Sequence, residues 1–495
     1  MKGVRRVGII GTGIAGLATA KTLSAEGLEC TLFERGDRVG GVWADGYSSF
    51  GVQAPKELYE FPDWPLPEGA PNFTPGPVFQ QYLEDYIDHF GLRSYIRFNA
   101  CVTGLEPRDG GDSGWIITIG GDAGDDREEF DLVVIATGLY SDVPNKPTFP
   151  GKEGYQGAIL HSSEVRTRGP LIGRNVVVVG YGKSAADIVA EAAKVAKNVH
   201  MVFRRTHWPV PRKVVGMLPF KWVGLSRMTS AFMPLYQRST SMERWLHGIG
   251  KPLVWIFWRF FEIVIRLQCR LGTEISNGKN LIPTEPFESD TNGEGTMVTP
   301  PEFFPLIANG RVSAHRTEIV RYMPDGVVLK DGTRLAVDCV VLATGWESEF
   351  NYFSPDIRMR LGTDDDGFYL YRHLLHPDFP KLIFVGRATA VSNIITCSLQ
   401  ARWLAELIAE RFVLPERADM VQEITEIKAW KRSWMPYSPA RSTRIFLHAQ
   451  HYHDELLKDL GIDPLRKRGP FAPLKELFAP YEPGDYRSIV SGDFM

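Results

Sequence analysis

The chain has 495 residues, 44% apolar and 23% charged, which excludes a disordered or fibrous protein and leaves room for two or three domains. A formal net charge of −3 with no basic tract argues against binding by neutralisation of nucleic-acid phosphates. Five scattered cysteines (Cys30, Cys101, Cys269, Cys339 and Cys397) form no C-x-x-C pair, so no disulfide framework, zinc site or redox dithiol is expected, and a reducing compartment fits.

The opening "MKGVRRVGIIG" enters a strand at once, with no apolar leader core or cleavage site, and a cytoplasmic protein is expected. "VGIIG" (7–11) predicts a buried strand. "GTGIAGLATAKTLSAEG" predicts a helix opened by Gly11, Gly13, Ala15 and Gly16, and "CTLFE" (30–34) a second strand ending in Glu34, followed by Arg35. Glycines at that spacing allow a tight turn, close backbone approach to a pyrophosphate and close helix packing, with the helix N-terminus facing the phosphates. Glu34 lies 18 residues after Gly16, where a carboxylate accepts hydrogen bonds from ribose hydroxyls. The apolar strand "LVVIATG" (132–138) follows, ending in Thr137 and Gly138.

The pattern returns at 175 as "NVVVVG", with Gly180, Gly182 and Ala185, Lys183 and Ser184 between them, a helix, and the strand "HMVFRR". Arg204 occupies the position that Glu34 has in the first unit. An arginine cannot accept from a 2′-hydroxyl but binds a 2′-phosphate, with Arg205 and Lys183 as further donors, so this second site is expected to prefer NADPH and the first FAD. "CVVLATG" (339–345), with Thr344 and Gly345, repeats the tripeptide of the first unit. The fold class is therefore α/β with two dinucleotide-binding (Rossmann-like) domains, the NADPH domain inserted in the FAD domain. Expected boundaries are 1–143 and 346–495 for the FAD domain with the C-terminal tail, and 144–345 for the NADPH domain, which carries an aromatic helical insertion at about 208–300.

Within that insertion, "PLVWIFWRFFEIVIRLQCRLG" (252–272) is interrupted by Arg259, Glu262 and Arg266, which argues against a bilayer span. Their spacing of three and four predicts an amphipathic helix, covering the core or lying on a membrane. "TDDDG" (363–367) predicts a turn. His448, His451 and His453 in "HAQHYH" have no acid or cysteine to complete a ligand set, and no metal is expected.

With these motifs in place, the chain resembles the flavin-containing monooxygenase family of class B flavoprotein monooxygenases over nearly its full length. The family fingerprint F-x-G-x-x-x-H-x-x-x-[F/Y] reads here as Tyr155, Gly157, His161 and Val165. The related Baeyer-Villiger enzymes carry tryptophan at the last position, so Val165 matches neither group. "RVGGVW" (38–43), with Gly41, Val42 and Trp43, resembles the segment beside the flavin, and "LIFVGRA" (382–388) followed by the helix carrying Gln400 resembles the part that closes the FAD site. Where much of the family has N-x-P-K, this chain has Gln53, Pro55 and Lys56, the form of a plant and microbial branch. The resemblance implies a catalytic amide at Gln53, or a substrate or loop role for it.

The resemblance further implies FAD and NADPH as cofactors, hydride transfer to flavin, oxygen capture as a C4a-hydroperoxide, and transfer of one oxygen atom to nitrogen or sulfur of a small molecule. Baeyer-Villiger oxygenation of a ketone and uncoupled oxidation of NADPH to hydrogen peroxide stay open. So do a homodimer and peripheral contact with a membrane. The missing cysteine pair argues against a thiol-disulfide reductase, and two intact glycine motifs against a non-catalytic flavoprotein.

Overall fold

The computed structural model describes residues 1, 3–121, 124–140, 143–291, 298–347 and 350–494. Ten strands build two five-stranded sheets: β1 (Arg6–Ile10), β2 (Glu29–Phe33), β3 (Ile96–Arg97), β4 (Leu132–Ile135), β5 (Ala158–His161), β6 (Asn175–Val179), β7 (Asn198–Phe203), β8 (Val312–Arg316), β9 (Cys339–Leu342) and β10 (Leu382–Phe384). Six helices matter here: α1 (Ile14–Ala25), α2 (Gly76–His89), α3 (Lys183–Val195), α4 (Lys251–Gln268), α5 (Asn393–Ile408) and α6 (Ala449–Asp459). The central strands are apolar at nearly every position because parallel strands bury both faces, as "LVVI" in β4 and "CVVL" in β9 do throughout.

The first sheet has the order β10-β4-β1-β2-β3 and the second β5-β9-β6-β7-β8, all pairs parallel. Val7 of β1 lies between Cys30 and Leu132, and Val176 of β6 between Val199 and Cys339. In both sheets the glycine-motif strand is therefore flanked by the strand of its own βαβ unit and by the strand leading into Ala-Thr-Gly. The first sheet takes its last strand from residues 382–384, after the second sheet is complete, so one nucleotide fold is nested in the other.

Each unit also carries a three-stranded antiparallel sheet before its Ala-Thr-Gly strand: Cys101–Arg108, Gly114–Gly120 and Asp126–Phe130 in the first, Ile319–Met323, Gly326–Leu329 and Arg334–Ala336 in the second. These strands range from eight residues of mixed burial in Cys101–Arg108 to four wholly buried ones in Gly326–Leu329 and share no common alternation, so periodicity does not reveal them. The two passages between the sheets meet in a small ribbon in which Val143–Pro144 pairs antiparallel with Trp346–Glu347.

Among its described residues the expected insertion has a hairpin (Lys213–Val214 with Leu218–Pro219), four short α-helices, a 3-10 turn (Ser276–Gly278) and α4; its residues 292–297 lie outside the described residues. Trp258, Phe261 and Ile265 form the buried face of α4, with Trp258 stacked on Phe287 at 5.3 Å. Arg259 and Glu262, two of the three charges that suggested a polar stripe, are turned inward. Arg259 pairs with Glu262 at 3.0 Å and with Glu288 at 2.6 Å, and Glu262 also accepts from the Phe287 amide at 2.8 Å.

The C-terminal histidines point to three different partners. His448 Nε2 meets the Pro234 carbonyl at 2.8 Å, His451 Nε2 the Glu243 carboxylate at 2.6 Å and His453 Nε2 the Thr396 hydroxyl at 2.8 Å. Burial pushes His448 and His453 down to about 3 and His200 to about 4. A buried imidazole with a lowered folded value stabilises the fold fully above about pH 6.5 and loses roughly 1.4 kcal/mol per pH unit below it, until the folded value is reached. Thermal melts should therefore fall progressively between about pH 6.5 and 4. His453→Gln should flatten that slope, and an unchanged slope would contradict the assignment.

Candidate active site

In the first unit, the strand-to-helix turn is built by close approach. Gly11 has φ +102°, and a Cβ there would lie 2.7 Å from the Ala136 carbonyl oxygen. A Cβ on Gly16 would lie 2.0 Å from the Gly11 carbonyl oxygen, so helix α1 can sit against the turn only without a side chain. Gly13 caps α1 with no side-chain bond to the first-turn amides, which stay available to an anion. Gly41 faces it: a Cβ on Gly41 would come within 3.4 Å of Gly13 Cα, so two bare backbones lie side by side at the start of α1.

Glu34, at the end of β2, accepts from the Thr12 amide at 3.2 Å and the Gly36 amide at 2.9 Å. These bonds aim its half-buried carboxylate at the glycine turn. Arg35 beside it is exposed, as are Val42 and Gly138, while Thr137 is half-buried. Ala15 is buried under Gly386, where an added Cβ would lie 2.9 Å from the Ala15 Cβ.

Trp43 packs on Phe79 of α2 at 4.4 Å and on Phe50 and Tyr59 at 5.7 Å each, an aromatic wall beside the Gly41 turn. Burial raises the Tyr59 hydroxyl far above its usual range. The loop carrying Gln53 is clipped down by Val52 N to Thr74 O at 3.0 Å and Lys56 N to Asn72 O at 2.7 Å, which leaves the Gln53 side chain exposed at its crest. Gln400 differs. Fully buried, it accepts from the Gly386 amide at 2.9 Å and donates to the Tyr452 hydroxyl at 2.7 Å, so its side chain fixes the β10 turn from behind.

The second unit repeats the turn. Gly180, at φ +133°, would place a Cβ 2.3 Å from the Ala343 carbonyl oxygen, whereas nothing lies within 4 Å of a Cβ on Gly182, which caps α3 without a side-chain bond. Lys183 pairs with Asp187 one turn on, and Tyr47 donates to the same carboxylate at 2.7 Å, with Ser184 also bonded to Tyr47. Burial raises Asp187 although Lys183 opposes it. The loop after Trp43 is thereby tied to the helix that opens the second site, a connection absent from any local pattern.

Arg204 and Arg205 are both exposed past the end of β7. Arg204 lines an open cleft of about 420 Å³ with Lys279, Asn280 and Arg316. Arg316 ends the neighbouring strand β8 opposite Phe203, and Lys279 Nζ bonds its carbonyl at 2.7 Å. Lys279 and Arg316 escaped the sequence reading. A cation ending a strand was the available signal, but only the pairing of β7 with β8 gives it meaning.

The fingerprint stretch joins the units. Tyr155 donates to the Val337 carbonyl at 3.0 Å, and a Cβ on Gly157 would strike its ring. His161 Nε2 donates to the Gly345 carbonyl at 3.1 Å while its ring stands edge-on to Trp346 at 5.1 Å, and Nδ1 accepts from the Ser163 amide at 3.3 Å. Burial lowers His161, keeping this tautomer neutral. Thr344 donates from its hydroxyl to the Asn145 carbonyl. Val165 is a fully buried core residue whose carbonyl takes the Ser48 amide at 2.7 Å.

Two nested dinucleotide folds, one with an acid at its strand end and one with clustered cations there, have the architecture of a two-nucleotide flavoprotein. The chain belongs to the flavin-binding monooxygenase-like family, whose pattern matches residues 4–248 and 296–494 and passes over the segment between them. It is a flavin-dependent monooxygenase. It is similar to probable flavin-containing monooxygenase 1 of Arabidopsis thaliana (31% identity, covering 97% of this chain and 96% of the relative) and to flavin-containing monooxygenase 3 of Rattus norvegicus (28%, covering 99% and 90%). The fold is shared with S-allyl-L-cysteine S-oxygenase from Allium sativum (TM-score 0.64, 22% identity, 98% of this chain and 92% of that one). It is shared too with the closed form of cyclohexanone monooxygenase (TM-score 0.68, 20% identity, 92% and 97%). Among the described residues, no helix is long and apolar enough to cross a membrane.

The glycines separate packing from ligand contact. Gly16→Ala should cost more than about 2 kcal/mol of stability and most of the bound flavin, since a carbonyl oxygen occupies its Cβ position. Gly182→Ala should melt like the parent and keep its flavin, while binding NADP+ about tenfold more weakly. Equal flavin loss in both would contradict the distinction.

Proposed function

We propose that the chain binds FAD at the Glu34 unit and NADPH at the Arg204 unit, and transfers one oxygen atom of O2 to a nitrogen or sulfur atom of a small molecule. The observation that carries this reading is the exchange of acid for arginine at equivalent strand ends, reinforced by Arg316 and Lys279 in the same cleft. A 2′-phosphate needs several cations and no nearby acceptor; a 2′-hydroxyl needs the reverse. The domain boundaries that fit place 1–143 and 346–495 around 144–345, supported by the ribbon of Val143–Pro144 with Trp346–Glu347. A cytoplasmic location fits the same reading.

The residues present suit these ligands. Glu34 would accept from the adenosine ribose of FAD, the open amides at the start of α1 would take its diphosphate, and Gly13 and Gly41 leave it room. When bound and reduced, the flavin supplies the activation of O2. The chain must then orient substrate and keep bulk water out. The wall of Trp43, Phe50, Tyr59 and Phe79 provides an apolar boundary, and Gln53, on the loop between Phe50 and Tyr59, presents an exposed amide. In balance, NADPH, a proton, O2 and an amine or thioether become NADP+, water and the N- or S-oxide. A ketone as oxygen acceptor is the second reading, favoured by the likeness to cyclohexanone monooxygenase.

NADPH consumption, oxygenated product and hydrogen peroxide should be measured together with a tertiary amine, a thioether and a cyclic ketone. Product should match NADPH consumed for the amine or thioether. Product only from the ketone would establish the second reading, and peroxide equal to NADPH under every condition would leave an oxidase. In the same assay Arg204→Ala or Arg316→Ala should raise KM for NADPH about tenfold or more and leave that for NADH within about twofold; equal effects would remove the phosphate assignment.

A further inference from the structure

The loop that carries Gln53 belongs to the first unit, yet its supports lead to the second. At its start, Tyr47 donates to Asp187 of α3 at 2.7 Å, and the Ser48 amide donates to the carbonyl of Val165, which lies in the core of the second unit. Further on, the loop is clipped to Asn72 and Thr74. Between those two lies Phe73, and the Arg212 guanidinium sits 4.0 Å above its ring. Burial lowers Arg212, against the pull of Glu302 and Asp187. One support thus ends on the Asp187 carboxylate and the other on a cation drawn towards it.

Asp187 is itself shared. Its side chain is only 3% exposed, and a carboxylate so enclosed keeps its charge only while donors surround it. Lys183 bonds both of its oxygens, one of them at 2.5 Å. Lys183 is also the first residue of α3, directly after the Gly182 cap and beside amides that no side chain caps. The same ammonium is therefore open to competition between two anions, the carboxylate one turn along the helix and a phosphate at the helix start.

When a phosphate draws Lys183, Asp187 must hold its charge with the donors that remain, the Tyr47 hydroxyl and the nearby Arg212 guanidinium. Bonds to an ionised acceptor strengthen as their competitors leave. Both donors act on the Gln53 loop, one at its start and one through Phe73 at its clip. Tyr47 also packs on Phe50 at 6.0 Å and Phe50 on Trp43 at 5.7 Å, so a pull on Tyr47 is felt at the aromatic wall.

Resting on the reading that NADPH occupies the second unit, we propose that Asp187 is a positioning residue that transmits this occupancy to the Gln53 loop. Dinucleotide phosphates take Lys183 from Asp187, Asp187 tightens on Tyr47 and Arg212, and the loop closes against the wall of Trp43, Phe50, Tyr59 and Phe79. The flavin side is then shielded from water while the nicotinamide cofactor is bound, and release of NADP+ reopens it.

Hydrogen–deuterium exchange of the full-length holoenzyme, with and without saturating NADP+, tests this. In the parent, NADP+ should slow exchange of the amides in 44–56 about tenfold, together with those at the start of α3. Tyr47→Phe keeps the ring and removes the bond. It should bind NADP+ within about threefold of the parent and still be protected at α3, while protection of 44–56 falls below about twofold. Asp187→Asn, of nearly the same size, should show the same loss while binding NADP+ at least as tightly as the parent, because Lys183 is released to the phosphates. In both variants the share of consumed NADPH recovered as hydrogen peroxide should rise about threefold or more. No protection at the start of α3 in the parent would remove the NADPH assignment and the proposal with it. Protection there without protection of 44–56, or protection of 44–56 undiminished in either variant, would overturn the proposal and leave the assignment standing. So would Asp187→Asn binding NADP+ more than about tenfold more weakly, since Asp187 would then not compete for Lys183.

Discussion

Both nucleotide sites depend on a backbone contact that only glycine permits. The Ala136 carbonyl oxygen stands where a side chain on Gly11 would be, and the Ala343 carbonyl oxygen stands in the same relation to Gly180. Each contact presses the glycine turn against the strand that ends in Ala-Thr-Gly. It sets the helix N-terminus above the sheet edge, with its amides free of side-chain caps. The third motif position differs because Gly16 lies against the Gly11 carbonyl while Ala185 accommodates its methyl group in the core. Duplication of one contact thus produces two like turns with open helix-start amides, and under the proposed function the choice of ligand is left to the residues at the strand ends.

Those strand ends divide the labour. Glu34 is held by amides on either side of the first turn, so its carboxylate is placed before any ligand arrives. Arg204 stands exposed in the cleft it shares with Lys279 and Arg316. Between the units, the Tyr47 bond to Asp187 and the Ser48 amide bond to the Val165 carbonyl connect segments far apart in sequence. A monooxygenase that must pass reducing equivalents from one nucleotide to another needs the relative position of its two sites held by such ties.

The glycine spacings, the Glu34 and Arg204 exchange and the nesting of one sheet in the other were legible because each rests on a short motif at a fixed offset from a strand. Arg316 was not, since it lies over a hundred residues from Arg204 and becomes its neighbour only through the pairing of β8 with β7. The two antiparallel sheets were hidden because their strands share no common alternation of apolar and polar residues. For α4 the spacing of the charges was visible, but Glu288, which draws Arg259 inward, was not. His161 stood out as part of a fingerprint; its acceptor, the Gly345 carbonyl, could only be seen in three dimensions.

The central claim is that one chain holds two different dinucleotides, sorted by Glu34 and by the cations around Arg204. A crystal structure of the protein with FAD and NADP+ bound tests it most directly. The account predicts the adenosine ribose of FAD within hydrogen-bond distance of Glu34, and the 2′-phosphate of NADP+ in the cleft between Arg204 and Arg316. NADP+ seated at Glu34, or its 2′-phosphate directed away from that cleft, would contradict it.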